Sequence, residues 1–200
     1  QAENYGASVV NIATGATLNV TSGGSQLCVF SSKAGGTVVI NMEAGAKMVS
    51  NNLFGWENQE RGNSARTLNM GAGAKWTINA GTNFYLNRTT LNLSGGEIVL
   101  NGENTYMWFE RRENSINTTA GATQMSIISG AGAIKAGNNG TDNGGYAFNV
   151  VRGAFSIDNT NTADLLLSAR LINADAAHGV QKTGDGVMQI TSDSTGFTHS

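Results

Sequence analysis

Six segments of this chain share one pattern, and that pattern restricts the fold more than any other feature. Aligned on a glycine, VVNIATGATLNV carries Gly15, VVINMEAGAKMV carries Gly45 and TLNMGAGAKWTI carries Gly73. TLNLSGGEIVL carries Gly95-Gly96, QMSIISGAGAI carries Gly130 and AFNVVRGAFSI carries Gly153. With Gly96 as the fourth reference, the residue four positions earlier is Asn11, Asn41, Asn69, Asn92, Ser126 and Asn149. Apolar residues flank it each time, as Val10 and Ile12 flank Asn11, or Leu68 and Met70 flank Asn69. The residue after the glycine is Ala, except for Glu97 in the fourth segment.

Apolar-Asn-apolar is a period of two, which belongs to a strand: both apolar side chains enter one face and the Asn leaves by the other. Gly-Ala then permits a tight corner, because Gly accepts positive φ and Ala is small enough to lie against another backbone. A second alternating strand follows, with Leu18 and Val20, or Trp76 and Ile78, on the inner face. In the fourth segment the phase fits Gly95 better and turns Ile98 and Leu100 inward. The fifth and sixth segments drift after the corner, so their second strands are less well defined.

These units recur every 23 to 34 residues or so, a spacing typical of solenoid repeats. None carries a helical stripe. One strand–corner–strand unit cannot bury its own apolar face, whereas stacked units can. The predicted fold is all-β: a single domain over residues 1–200, built as a right-handed parallel β-helix of about seven coils. At about 4.8 Å per coil this is a rod roughly 35 Å long. The alternative is an antiparallel β-sandwich or barrel, whose hairpins would show matched flanks around Asn-Gly or Asp-Gly turns. Here the corners are mostly Gly-Ala and the units match one another.

Composition agrees with stacking. Charged residues make up only 13% of the chain, and Pro is absent. Like charges in register on neighbouring strands repel, so a weakly charged polar surface suits a stack. The hydrophobic content of 40% with a net charge of −2 excludes a disordered chain. The same balance argues against nucleic acid, which needs a clustered basic face. No apolar run approaches the roughly 18 residues of a membrane span. Cys28, in QLCVF, reads as a small buried strand residue. The chain begins at Gln1 without a signal-like segment, so a processed chain or a piece of a longer one is expected.

Three segments interrupt the repeat: residues 51–64, 101–118 and 135–145. They are expected to be loops, and on a plain rod the loops are where function belongs. Trp56 in the first, with Tyr106, Trp108 and Phe109 in the second, could stack on sugar rings or anchor a protein interface. The alternative is that these aromatics cover the open side of the coils. Arg111 and Arg112 complete the candidate ligand-binding set. Glu57 and Glu60 beside Arg61, and Glu110 and Glu113 beside the Arg pair, offer carboxylates for glycoside cleavage. The preferred reading is a solvated, salt-bridged loop, and no catalytic residue is assigned. Gly137 to Gly145 resembles a calcium nonapeptide but has Asp142 as its one acid, so no metal site is expected. No cofactor fingerprint occurs in a strand-to-helix context, and no cofactor is expected. The Asn column has two readings: amide stacking between coils, or a flat polar binding face.

Near the C-terminus, Lys182-Thr183-Gly184-Asp185-Gly186 is followed by alternating Val187, Gln189 and Ile190 and then by Thr195-Gly196. This stretch, within residues 179–197, resembles the autotransporter-associated β-strand repeat. The resemblance implies a secreted or surface-displayed bacterial β-helix, part of a longer protein. The last coil is expected to be uncapped, so that further repeats or another copy would stack on it. The expected function is non-enzymatic: an extracellular structural or adhesive module that builds an appendage or matrix fibre and displays binding loops to a glycan or host surface. The alternatives are a filament subunit that polymerises end to end and a polysaccharide-active β-helix enzyme.

Overall fold

A computed structural model describes residues 7–20, 37–51, 65–79, 81, 83–86, 88–109, 114–136, 146–159, 161–173 and 180–193. The described residues contain strands and turns and no helix. Coil 1 holds β1 (Ala7–Ile12) and β2 (Thr17–Val20), and coil 2 holds β3 (Thr37–Met42) and β4 (Lys47–Ser50). Coil 3 adds a third strand: β5 (Ala65–Met70), β6 (Lys75–Ile78) and β7 (Asn83–Leu86). Coil 4 is β8 (Thr89–Leu93), β9 (Glu97–Leu100) and β10 (Tyr106–Phe109). Coil 5 is β11 (Asn114–Thr118), β12 (Ser126–Ser129) and β13 (Ala133–Ala136). Coil 6 is β14 (Tyr146–Asn149), β15 (Leu165–Leu167) and β16 (Arg170–Asn173). Coil 7 is β17 (Val180–Thr183) and β18 (Met188–Ile190).

First strands pair only with first strands, in the order β1-β3-β5-β8-β11-β14-β17; second strands run β2-β4-β6-β9-β12-β15-β18; third strands run β7-β10-β13-β16. Every one of these pairings is parallel. A sandwich of hairpins would be antiparallel, so the described chain is a parallel β-helix solenoid of seven coils. One apolar cluster runs through it from Ile12 to Leu171. Its columns are built from equivalent positions, as where Ile40, Leu68, Leu91, Ile116 and Phe148 lie one above another.

The corners form as the residue pattern requires. Gly15, Gly45, Gly73 and Gly95 have φ of 71°, 69°, 67° and 82°. In the second and third corners, Ala46 and Ala74 each donate a backbone hydrogen bond of 3.0 Å to the residue three earlier, Glu43 and Gly71. Such turns need positive φ at their third residue. Both alanines are fully buried, so nothing larger fits. Gly95, rather than Gly96, is the corner glycine of the fourth unit, as the phase of Ile98 and Leu100 requires.

Three expectations are corrected. QMSIISGAGAI is not a first strand: its Ser126–Ser129 segment is β12, in the second sheet. The first strand of coil 5 is β11, so the residue in the Asn column is Asn117 instead of Ser126. Residues 101–118, expected as a loop, supply β10 and β11. Met107 and Phe109 face the core there, and burying them fixes the segment as strand. The segment after Gly153 is a turn rather than a strand, and the second strand of coil 6 begins only at Leu165. The expected loop at 51–64 lies outside the described residues beyond Asn51, and that at 135–145 beyond Ala136.

Gly130 closes the connection from β12 to β13 at φ 109°, and a Cβ there would collide with the backbone of Leu100. Gly130→Ala is therefore expected to cost at least about 1–3 kcal/mol for backbone strain alone. Urea unfolding of the two proteins measures the difference.

Candidate functional site

Two polar columns run along the stack. In the first sheet, Asn41 donates Nδ2–H to Asn11 Oδ1 at 2.8 Å, and Asn69 to Asn41 at 2.8 Å. Asn92 donates to Asn69, and Asn117 to Asn92, each at 2.8 Å. Asn149 and Thr183 occupy the same column in coils 6 and 7. A second ladder, not foreseen from the sequence, follows the second sheet: Asn79 donates to Asn51 at 2.7 Å and Asn101 to Asn79 at 2.8 Å. Strands in exact parallel register place like residues about 4.8 Å apart. An amide can then accept on one side and donate on the other, so each Asn satisfies its neighbours.

Asn69→Ala tests the ladder. It removes the acceptor of Asn92 and the donor to Asn41, and two such bonds at about 1 kcal/mol each give an expected loss of about 1–3 kcal/mol. A loss confined to a few tenths of a kcal/mol in thermal unfolding would contradict the stacking role.

Beside the first ladder lies an open groove of about 300 Å³. One wall is amide, from Asn41, Asn69 and Asn92. The other comes from the first residue of successive corners, Glu43, Gly71, Ser94 and Thr119. The groove thus crosses coils 2 to 5 along the stacking direction. Glu43 Oε2 accepts from the backbone N–H and the hydroxyl of Thr14, at 2.9 and 3.0 Å. Thr119 Oγ1 donates to Ser94 Oγ at 2.9 Å. The lining contains no Lys or Arg.

The candidate binding aromatics are placed differently from one another. Phe109 is fully buried in the core and cannot meet a ligand. Trp108 is on the outer face of the third sheet but only 6% exposed. Lys135, its register partner on β13, holds Nζ 3.8 Å from the ring centroid. Burial pushes the Lys135 pKa below its ordinary value. That cation–π contact, worth about 0.5–2 kcal/mol, occupies the ring face that a sugar would need. Tyr106 is half-buried at the start of the same strand. Trp56, Arg111 and Arg112 lie outside the described residues, as do Glu57, Glu60, Arg61, Glu110, Glu113 and Asp142.

A third polar constellation was not foreseen. Between β14 and β15, the described residues 151–159 and 161–164 leave the coil as a turn held by two side chains. Asp164, 2% exposed, accepts from Gly153 N–H at 2.8 Å, from Val187 N–H at 2.8 Å and from the Ser156 hydroxyl. Arg152 lies 3.4 Å from the Asp164 carboxylate and also donates to the carbonyls of Asn159 and Thr162, both at 3.1 Å. Burial would by itself raise the Asp164 pKa. The hydrogen bonds from Gly153, Ser156 and Val187 and the charge of Arg152 outweigh it and hold the carboxyl below its usual value. Ser156 is fully buried and its hydroxyl engaged, so this is a structural lock and presents no nucleophile. The turn it fixes carries Ile157, 69% exposed.

Among the described residues no three His, Cys, Asp or Glu side chains converge as a metal site would require, and no helix is long and apolar enough to cross a membrane. Comparisons with protein-family models, with curated proteins and with solved structures returned no match.

Proposed function

We propose that this chain is a non-enzymatic scaffold module of a secreted or surface-displayed bacterial protein, serving as a stiff structural or adhesive segment. The observation that carries the reading is the unbroken Asn ladder from Asn11 to Asn117, along sheets that stay in parallel register over all seven coils. A chain that keeps an outward-facing residue constant through five coils is built for axial regularity. Each rung adds a hydrogen bond between units that already share a core, which stiffens the stack along its axis. The sparse charge fits the same purpose, since stacked like charges would oppose it. Surface placement is supported by the resemblance of residues 179–197 to the autotransporter-associated repeat.

Two measurements test the proposal. Single-molecule pulling along the chain should give stepwise lengthening, one coil at a time, because each coil contacts only its neighbours. Antibodies against this chain should label intact cells of the source organism. Label that appears only after permeabilisation would refute the extracellular placement, and featureless extension at low force would refute the stiff scaffold.

A further inference from the structure

The groove runs across coils 2 to 5, its amide wall repeating in coils 2 to 4 and its corner wall supplying one residue per coil, about every 4.8 Å. A ligand that follows it must be a linear polymer with a similar repeat, offering hydrogen-bond donors and acceptors at each step. Each ladder Asn uses one N–H and one lone pair within the ladder, leaving one of each for a ligand. An extended peptide advances only about 3.3 Å per residue and soon falls out of step. It could otherwise bind by adding a strand, but β3, β5 and β8 are already paired on both edges. Nucleic acid and acidic polysaccharides need cations, whereas this lining offers amides, hydroxyls, the Glu43 carboxylate and apolar surface that includes Met42 and Met70, a mixture suited to the hydroxyls and C–H faces of a neutral sugar. An extended β-1,4-linked pyranose chain advances by close to one coil spacing per ring and is studded with neutral hydroxyl or acetamido groups.

We propose that this groove binds an extended neutral β-1,4-linked glycan lying parallel to the stack, one ring per coil, from Glu43 and Asn41 at one end to Thr119 at the other. The proposal rests on the adhesive-scaffold reading above and names its ligand. The groove is open and near the lower size limit of small-molecule sites. Short oligosaccharides therefore bind in the millimolar range, and tight attachment comes from many modules engaging one polymer.

The test is a two-dimensional NMR titration of the isotope-labelled chain with cello- and chito-oligosaccharides of one to six rings. The expected result is shifts of the Asn41, Asn69 and Asn92 side-chain amide signals, with affinity rising per ring up to about four rings, the number of coils spanned, and then levelling. Ser94→Arg and Thr119→Arg, which place a long side chain in the groove without touching the core, should each weaken binding at least tenfold. Absence of shifts, shifts located elsewhere, affinity that ignores chain length, or undiminished binding by both variants would overturn the proposal. Urea unfolding of the same samples separates the two levels of the argument. A cooperatively folded chain that ignores glycans removes the ligand and leaves the scaffold, whereas a chain without a cooperative transition removes both.

Discussion

Replacing Trp76 by Ala is expected to lower the unfolding free energy by about 3–5 kcal/mol, the usual cost of emptying a large aromatic site. Trp76 is the largest fully buried side chain of the described chain. It lies between Met48 and Ile98 in the inward column of the second sheet. Its indole Nε1–H donates to Ser50 Oγ at 3.0 Å, so the one polar atom of the ring is satisfied inside the stack. The neighbouring coils are tied to each other by backbone ladders and cannot collapse into the cavity. Trp76→Phe separates the contributions: it keeps most of the apolar contact and leaves the Ser50 hydroxyl short of a partner, at an expected cost of about 1–3 kcal/mol. Urea unfolding, with the transition followed by circular dichroism, reads both values. An Ala variant as stable as the parent would mean that the interior is not the packed column described.

The second large effect is at Asp164. Asp164→Ala leaves Arg152 without its carboxylate and deprives the buried Gly153 N–H and the part-buried Val187 N–H of their acceptor. Breaking a buried pair from one side costs about 3–5 kcal/mol. The effect also has a sign in pH. The folded carboxyl titrates below its unfolded value, so its contribution is complete above the unfolded carboxylate pKa of about 4 and disappears as pH falls through the lower folded value. The parent should thus lose stability in acid through this group. Asp164→Asn, which cannot ionise, should be less stable at neutral pH and should lack this component of the acid loss. Unfolding curves from pH 7 down to about pH 2.5 make the comparison. Equal acid dependence in the two proteins would contradict the lock at residues 151–164.

The legible part of the fold was the part written in local chemistry. An outward Asn between two inward apolar residues, a fixed distance before a glycine, states a strand, its facing and its corner together; coils 1 to 3 follow that statement, and coil 4 follows it with the corner one residue earlier, at Gly95. Coil 5 was misphased for a physical reason. Its column residue Asn117 precedes Gly121-Ala122 at the usual distance, but it is flanked by Ile116 and Thr118, and the threonine breaks the apolar pair. Thr118 is buried all the same, because its hydroxyl donates to the Val151 carbonyl at 2.9 Å and its backbone completes β11. SIISGAGAI imitated a first strand because the second sheet also alternates and also ends at a glycine.

The third sheet was not legible. Its strands are four residues long, and β10 places Trp108 and Phe109 side by side on opposite faces. A run of aromatics beside charges resembles a binding loop until the pairing of β7, β10 and β13 shows which face is inside. The Arg152–Asp164 lock joins groups twelve residues apart through a turn, and the groove joins corner residues of four different coils. Neither has a local signature. The interior also holds polar side chains that the alternation would assign to apolar ones: Arg66, Thr89 and Asn114 are all buried, and Thr89 N–H donates to Asn114 Oδ1 at 2.9 Å.

Exact coil-to-coil register in the first sheet underlies the ladder and the stacked scaffold, and paired cysteines measure it. In a chain with Cys28 replaced by Ser, Asn69→Cys with Asn92→Cys places two thiols on register partners. Direct partners are about 5 Å apart, inside the disulfide range, whereas diagonal neighbours two residues away are about 7–8 Å apart, beyond it. The first pair is expected to form an intramolecular disulfide on mild oxidation, and Asn69→Cys with Thr90→Cys is not. Equal cross-linking of both pairs, or of the second alone, would contradict the ladder and the stacked scaffold built on it.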